Sequence, residues 1–154
     1  MIKSKKLLIR FLFIAIVFSI TVKLAEATAM NFTVRGGEEE TKTLNLAVED
    51  RVLIRFTVVG PSDSTVFFYM TYPNGTVKEF GKVGYFHYPF VCDAEGKYVL
   101  HFSNVYSTEE KLVTLNYEVE HYIFGIPQML FLTIIIVLVC VAAVAAFILM
   151  GKPH

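Results

Sequence analysis

Four histidines, two cysteines and a scatter of turn carboxylates are the residues of this 154-residue chain that could do chemistry. Zinc and hydrolytic metal sites gather histidine, cysteine and carboxylate ligands at short fixed spacings. Here His87, His101 and His121 stand more than a dozen residues apart, His154 is the last residue, and neither HExxH nor Cys-x-x-Cys occurs. If their strands were neighbours, His87 and His101 would form a weak two-ligand site; the plainer expectation is a pair of solvent-facing strand histidines. There is no nucleophile elbow, phosphate loop or glycine-rich dinucleotide fingerprint. Asp63, Asp93 and Glu95 fall in turn-like segments, where aspartate is favoured for bonding its own backbone. The expectation is a protein that is not an enzyme, with no catalytic residues, no metal site and no cofactor.

The remaining candidates concern binding and modification. In Val66-Phe-Phe-Tyr-Met-Thr-Tyr72 both alternating sets are apolar or aromatic, and Tyr85, His87 and Tyr88 add to the surplus. Either both faces of that strand are covered by the protein's own packing, or Phe67, Tyr69, Tyr85 and His87 form a partner-binding patch, since aromatics are enriched in interface cores. Asn31-Phe-Thr33 and Asn74-Gly-Thr76 are N-glycosylation sequons. Cys92 reads as a buried small hydrophobe, the alternative being an unpaired thiol that links two copies. It cannot bridge to Cys140, which lies in an apolar run.

That run decides what positions everything else. Residues 129–150 carry no charge, and 22 helical residues at about 1.5 Å each span roughly the 30 Å hydrocarbon core of a bilayer. At the other end, Lys3, Lys5 and Lys6 precede an apolar stretch from Leu7 to Val22, and Ala25-Glu-Ala27 and Ala27-Thr-Ala29 fit a small-x-small cleavage pattern. The expected division is a signal peptide over 1–29, a leader loop over 30–40, a β-sandwich over 41–122, a juxtamembrane segment and transmembrane helix over 123–150 and a cytoplasmic tail over 151–154. The chain is then a single-pass type I protein with its domain outside the cytosol, at the cell membrane or, in a eukaryote, the endoplasmic reticulum and Golgi. Residues 30–122 hold 13 acidic against 8 basic side chains, unlike the basic stripe that nucleic-acid binding needs.

Between Thr41 and Tyr122 the pattern is that of strands. Val52, Ile54, Phe56 and Val58 alternate with Arg51, Leu53, Arg55 and Thr57, and Tyr98, Leu100 and Phe102 alternate in the same way with Lys97, Val99 and His101. Gly60-Pro-Ser-Asp-Ser64, Tyr72-Pro-Asn-Gly75, Asp93-Ala-Glu-Gly96 and Ser107-Thr-Glu-Glu110 punctuate the runs. Seven strands follow, over 42–48, 51–59, 65–72, 76–80, 84–92, 97–104 and 111–120, which predicts an all-β antiparallel sandwich plus one C-terminal transmembrane helix.

The order of residues through Phe56-Thr-Val-Val-Gly60, Val66…Tyr72-Pro-Asn-Gly75, Gly84-Tyr-Phe86 and Gly96-Lys-Tyr98-Val-Leu-His-Phe102-Ser-Asn104 resembles the GOLD domain of the emp24/gp25L/p24 family. The resemblance covers about residues 41 to 120. It implies a lumenal β-sandwich on a type I membrane protein that selects cargo for vesicle transport. Three features depart from that family. His101 stands where a cysteine is usual, the last strand runs almost directly into the span with no coiled coil between, and Gly151-Lys-Pro-His154 lacks coat-binding signals.

The functional expectation is a recognition domain that binds protein cargo or a partner through strand edges, loops or its aromatic patch. One alternative is a structural subunit of a membrane or envelope assembly. Another, disfavoured, is an exported hydrolase or metal-binding protein. The bilayer and a protein are the expected partners, with no nucleic acid among them.

Overall fold

The computed structural model describes residues 26–150. Eight main strands, β1 Glu26–Val34, β2 Glu39–Leu46, β3 Arg51–Val59, β4 Val66–Thr71, β5 Val77–Val83, β6 Tyr85–Val91, β7 Gly96–Ser103 and β8 Lys111–Glu120, lead into two short ones, β9 Tyr122–Ile123 and β10 Ile126–Pro127, and then helix α1, Gln128–Met150. The first sheet has the order β1-β8-β3-β6 and the second β2-β7-β4-β5. β1 pairs with β8, β2 with β7, β3 with β6 and β4 with β5, all antiparallel. This is one long hairpin, folded at the β4–β5 turn and rolled up, with the β3–β8 and β4–β7 ladders completing the sheets. The result is a jelly-roll sandwich.

Strand β1 corrects the expected boundaries. Residues 30–34 and 39–40 of the supposed leader loop are strand, so that only residues 35–38 connect β1 to β2. Met30, Phe32 and Val34 alternate with exposed Ala29, Asn31 and Thr33, and Glu26 to Val34 pair in unbroken register with Val119 to Lys111. The alanines that resemble a cleavage site are therefore strand residues. Cutting after Ala27 would remove two residues of β1, and cutting after Ala29 four. The basic start and apolar stretch of the expected signal peptide, and the tail over 151–154, lie outside the described residues.

Period-two alternation builds the core as expected. Val52, Ile54, Phe56 and Val58 are at most 5% exposed, and Tyr98, Leu100 and Phe102 are fully buried. Phe56, Phe68, Phe86 and Phe102 form the centre, where Phe56 and Phe68 each touch the other three rings with centroids 4.7 to 5.1 Å apart. Such aromatic pairs add about 0.5–1.5 kcal/mol each beyond their burial. The Tyr98 hydroxyl donates to the Ala94 carbonyl at 3.0 Å, so a polar tip inside the sandwich is satisfied. At the predicted turn, Gly75 N–H donates to the Tyr72 carbonyl at 2.9 Å. Gly75 takes φ 83°, which suits a residue without Cβ.

The sandwich closes at Tyr122, and α1 belongs to a second unit. Phe124 and Gly125, with φ of 53° and 71°, turn the chain between β9 and β10. Residues Gln128–Ile148 are long and apolar enough to cross a membrane, and none of that stretch is buried by protein. A buried core helix would be covered; this one leaves Leu130, Leu138, Val139, Val141 and Ile148 more than half exposed.

Candidate binding faces

Strand β4 shows why its sequence is apolar on both sides. Val66, Phe68 and Met70 point into the core, while Phe67, Tyr69 and Thr71 are half-buried on the outer face of the second sheet. Register fixes their neighbours: Phe67 lies opposite Ser103 and Lys82, Tyr69 opposite His101 and Glu79. Among the described residues no further layer covers this set, so the outer half of β4 is surface.

Its polar members are tied together. The Tyr69 hydroxyl donates to Glu39 Oε2 at 2.9 Å. His101 Nδ1 lies 2.9 Å from Glu39 Oε1 and its Nε2 3.0 Å from Thr71 Oγ1. A neutral imidazole protonated at Nδ1 satisfies both contacts, donating to the carboxylate and accepting from the hydroxyl. Tyr69 stacks on the imidazole at 4.2 Å with 7° between the rings. Burial, and next the hydrogen bond to Glu39, push the Tyr69 phenol above its ordinary value, so it stays a donor. Carboxylate, imidazole and hydroxyl in series follow the order of a hydrolase relay. The same contacts tie Glu39 of β2, His101 of β7 and Tyr69 and Thr71 of β4 together across the second sheet. Phe67 extends that surface toward Tyr106, whose ring is 6.3 Å away and 73% exposed.

The four expected patch residues do not form one patch. Phe67 and Tyr69 are on the second sheet; Tyr85 and His87 are on β6, on the outer face of the first, opposite Thr57 and Arg55. The expectation failed because alternation shows which residues share a strand face but not which strands share a sheet. For the same reason His87 and His101 do not face each other, and no two-ligand site forms between them. Among the described residues no group of three or more histidine, cysteine or carboxylate side chains could hold a metal ion.

Around Tyr85 the first sheet is hollowed. A depression of about 400 Å³ is lined by Ala27, Ala29, Arg55, Thr57, Tyr85 and Glu118, among others. It exists because β1 sets alanines beside the Arg55–Glu118 ion pair. Asn31 is exposed on this same sheet, and Asn74 is exposed at the β4–β5 turn, where its Oδ1 accepts from Thr76 N–H.

The two long flanks, where the edges of the sheets meet, differ. On the β5–β6 flank Phe80, Phe86, Tyr88 and Phe90 form a ladder of rings with neighbouring centroids 4.8 to 5.9 Å apart. Lys78 caps it, donating to the Tyr88 hydroxyl at 2.7 Å. On the β1–β2 flank Lys42 lies 4.4 Å above the Phe32 ring. Nearer the start of β1 is a hollow of about 230 Å³ lined by Thr28, Leu44, Leu46, Tyr117, Val119 and His121, among others.

Elsewhere the polar residues brace loops. Fully buried Lys111 donates to the Asp63 carbonyl and holds the Gly60–Thr65 loop. Asn104 donates to the carbonyls of Val34 and Glu109. His121 Nδ1 meets buried Asp50 at 2.8 Å. Cys92 is 2% exposed; burial first, and the nearby Asp50 carboxylate second, push its thiol up to about 11. A thiol so protonated is a poor nucleophile, which favours the buried-hydrophobe reading over a link between copies.

Fold and faces together define a jelly-roll sandwich with an aromatic outer face, followed by an apolar helix. No protein-family model and no curated protein sequence matches the chain. Among solved structures it is similar to PliG of Aeromonas hydrophila, a periplasmic inhibitor of g-type lysozyme. The two share 15% identity over 64% of this chain and 93% of that one, with a TM-score of 0.49. PliG of Salmonella Typhimurium shares 13% identity over 64% and 95%, TM-score 0.43. The Yersinia pseudotuberculosis-derived mitogen shares 10% over 61% and 86%, TM-score 0.43.

Proposed function

We propose that the chain is a non-catalytic recognition protein, held at a membrane by α1, whose sandwich binds a protein partner or cargo outside the cytosol. The observation that carries this reading is the outer face of the second sheet. There Phe67, Tyr69 and Tyr106 are presented on a surface whose polar groups Glu39, His101 and Thr71 are already paired. Aromatic anchors supply much of the binding energy in interface cores, and a surface ordered beforehand loses less entropy on docking.

The single-pass type I arrangement is part of the same reading, supported by the length and exposure of α1 and by the basic start of the chain. A setting in protein transport is supported by the GOLD-like resemblance and by the order of sandwich, then apolar helix. The residues that carry the resemblance, Tyr98, Phe102 and Asn104, are all buried. They therefore speak for the sandwich more than for transport. Glycans on Asn31 and Asn74 fit the exposure of both side chains.

The test is co-purification from detergent-solubilised membranes, with crosslinking and mass spectrometry. Tyr69→Ala and Tyr106→Ala are expected to lose a partner that Tyr85→Ala retains, with thermal midpoints within a few degrees of the parent. Retention by all three variants removes the second sheet as the binding face. A single stoichiometric partner, unchanged across conditions, points instead to a structural subunit. Release of the protein by carbonate would rule out the membrane tether.

A further inference from the structure

Each sheet has two outer strands, and three of the four are protected against pairing with another chain. β6 carries Pro89, which has no N–H to offer. β5 is broken in register opposite Phe68 and Tyr69 and carries Lys78, Glu79 and Lys82. β2 begins with Glu39, Glu40 and Lys42. Bulges, prolines and charges are the usual means of blunting an edge. β1 has none of these beyond its first residue: Ala27 to Val34 is uncharged, free of proline and in unbroken register with β8. Among the described residues no strand lies on its other side. Beside it, the hollow at the β1–β2 flank has a floor of Leu44, Leu46, Tyr117 and Val119 and a rim that includes Thr28 and His121.

We propose that the outer edge of β1 is a strand-addition site for an extended segment of a partner protein, one of whose short side chains, a valine or a threonine, enters the flank hollow beside Thr28. This goes beyond the recognition reading, which concerns the outer face of the second sheet, and assigns a separate contact at the edge of the first. The occupant follows from the chemistry of the edge. A free strand edge alternates N–H donors and carbonyl acceptors, a series that another extended backbone matches along its length. In strand addition the backbone supplies affinity and pockets for alternate side chains supply choice. A second copy would have to place its own β1 there, and its inward residue Phe32 already packs against Phe102 and beneath Lys42.

The probe is a fluorescein-labelled peptide of about seven residues alternating valine and threonine, titrated by anisotropy against the full chain in detergent micelles. A counterpart N-methylated at every second amide keeps the side chains but loses the donors. Saturable binding is expected for the first, with affinity at least about tenfold weaker for the second. A similar loss is expected for Thr28→Lys, which sets a charge at the hollow, whereas Val77→Lys on the β5 edge should bind as the parent does. Equal binding of the two peptides, or no binding up to millimolar concentration, overturns the proposal, and neither arm depends on a variant folding. A parent dimer dispersed by Thr28→Lys in sedimentation also overturns it, because a second copy then takes the edge. The recognition reading fails separately: a co-purifying partner kept by both Tyr69→Ala and Tyr106→Ala removes the second sheet as the binding face and leaves the peptide titration at β1 standing on its own.

Discussion

The flank between β5 and β6 is a wall of rings under a lysine cap, whereas the flank between β1 and β2 has one lysine over one phenylalanine and a hollow beside it. Both close the same two sheets, so the fold itself does not require the difference. A jelly roll needs each flank shut only well enough to keep water from the core. Among the described residues, the aromatic packing that closes the sandwich is concentrated on the β5–β6 flank.

The largest effect should come from the closed flank. Phe86 touches Phe56, Phe68, Phe80 and Tyr88, and Phe86→Ala is expected to cost about 3–5 kcal/mol in denaturant unfolding. Phe32→Ala on the open flank, where the side chain is only half-buried, should cost about 1–2 kcal/mol by scaling that range to its burial. Similar losses at the two sites would erase the comparison.

Alkaline pH should weaken the sandwich where Tyr98 packs against Tyr72 and against Phe90 of the closed flank. Burial first, then the neighbouring Tyr88, push the Tyr72 phenol up to about 12. Burial first, then Cys92, do the same for Tyr98, to about 12. Each of these groups, like the Cys92 thiol at about 11, is held in its protonated form by the fold. Their contribution is therefore complete below the ordinary values of 9.0 for the thiol and 10.0 for the phenols, and is lost as pH climbs through about 11 to 12. The denaturation midpoint should hold steady up to about pH 9 and fall above it. The tyrosinate absorbance that belongs to Tyr72 and Tyr98, isolated by comparison with their phenylalanine variants, should appear late and rise together with unfolding. A midpoint unchanged between pH 8 and 11 would contradict this ordering.

Smaller effects should follow at the periphery. Lys78→Met, which removes the cap but leaves the rings, should cost less than about 1 kcal/mol, in line with exposed charged contacts. Hydrogen exchange should show β1 amides opening ahead of those of β3, which is paired on both sides. Equal protection would mean that the open flank is covered.

Much of this was legible in the sequence. Alternation located β3, β7 and β8 and their buried sets, proline and glycine marked the β4–β5 turn, and the uncharged run marked α1. β1 was hidden because its alanines also satisfy a processing pattern, and only a partner strand far along the chain reveals them as strand. The Glu39–His101–Thr71 network was hidden for a related reason. It needs β2, β7 and β4 side by side, and a pairing between residues 62 apart leaves no local trace. Lys111, which occupies an inward position in line with Val113 and Leu115, could have been suspected from period two alone.

One consequence of the nested hairpin concerns the order of synthesis. β8 is the last main strand to leave the ribosome, yet it lies between β1 and β3 and gives β1 its ladder. β1 must therefore wait for its ladder until nearly the whole sandwich has emerged. By then the apolar helix is next in line, so completion of the first sheet and emergence of α1 become nearly simultaneous events.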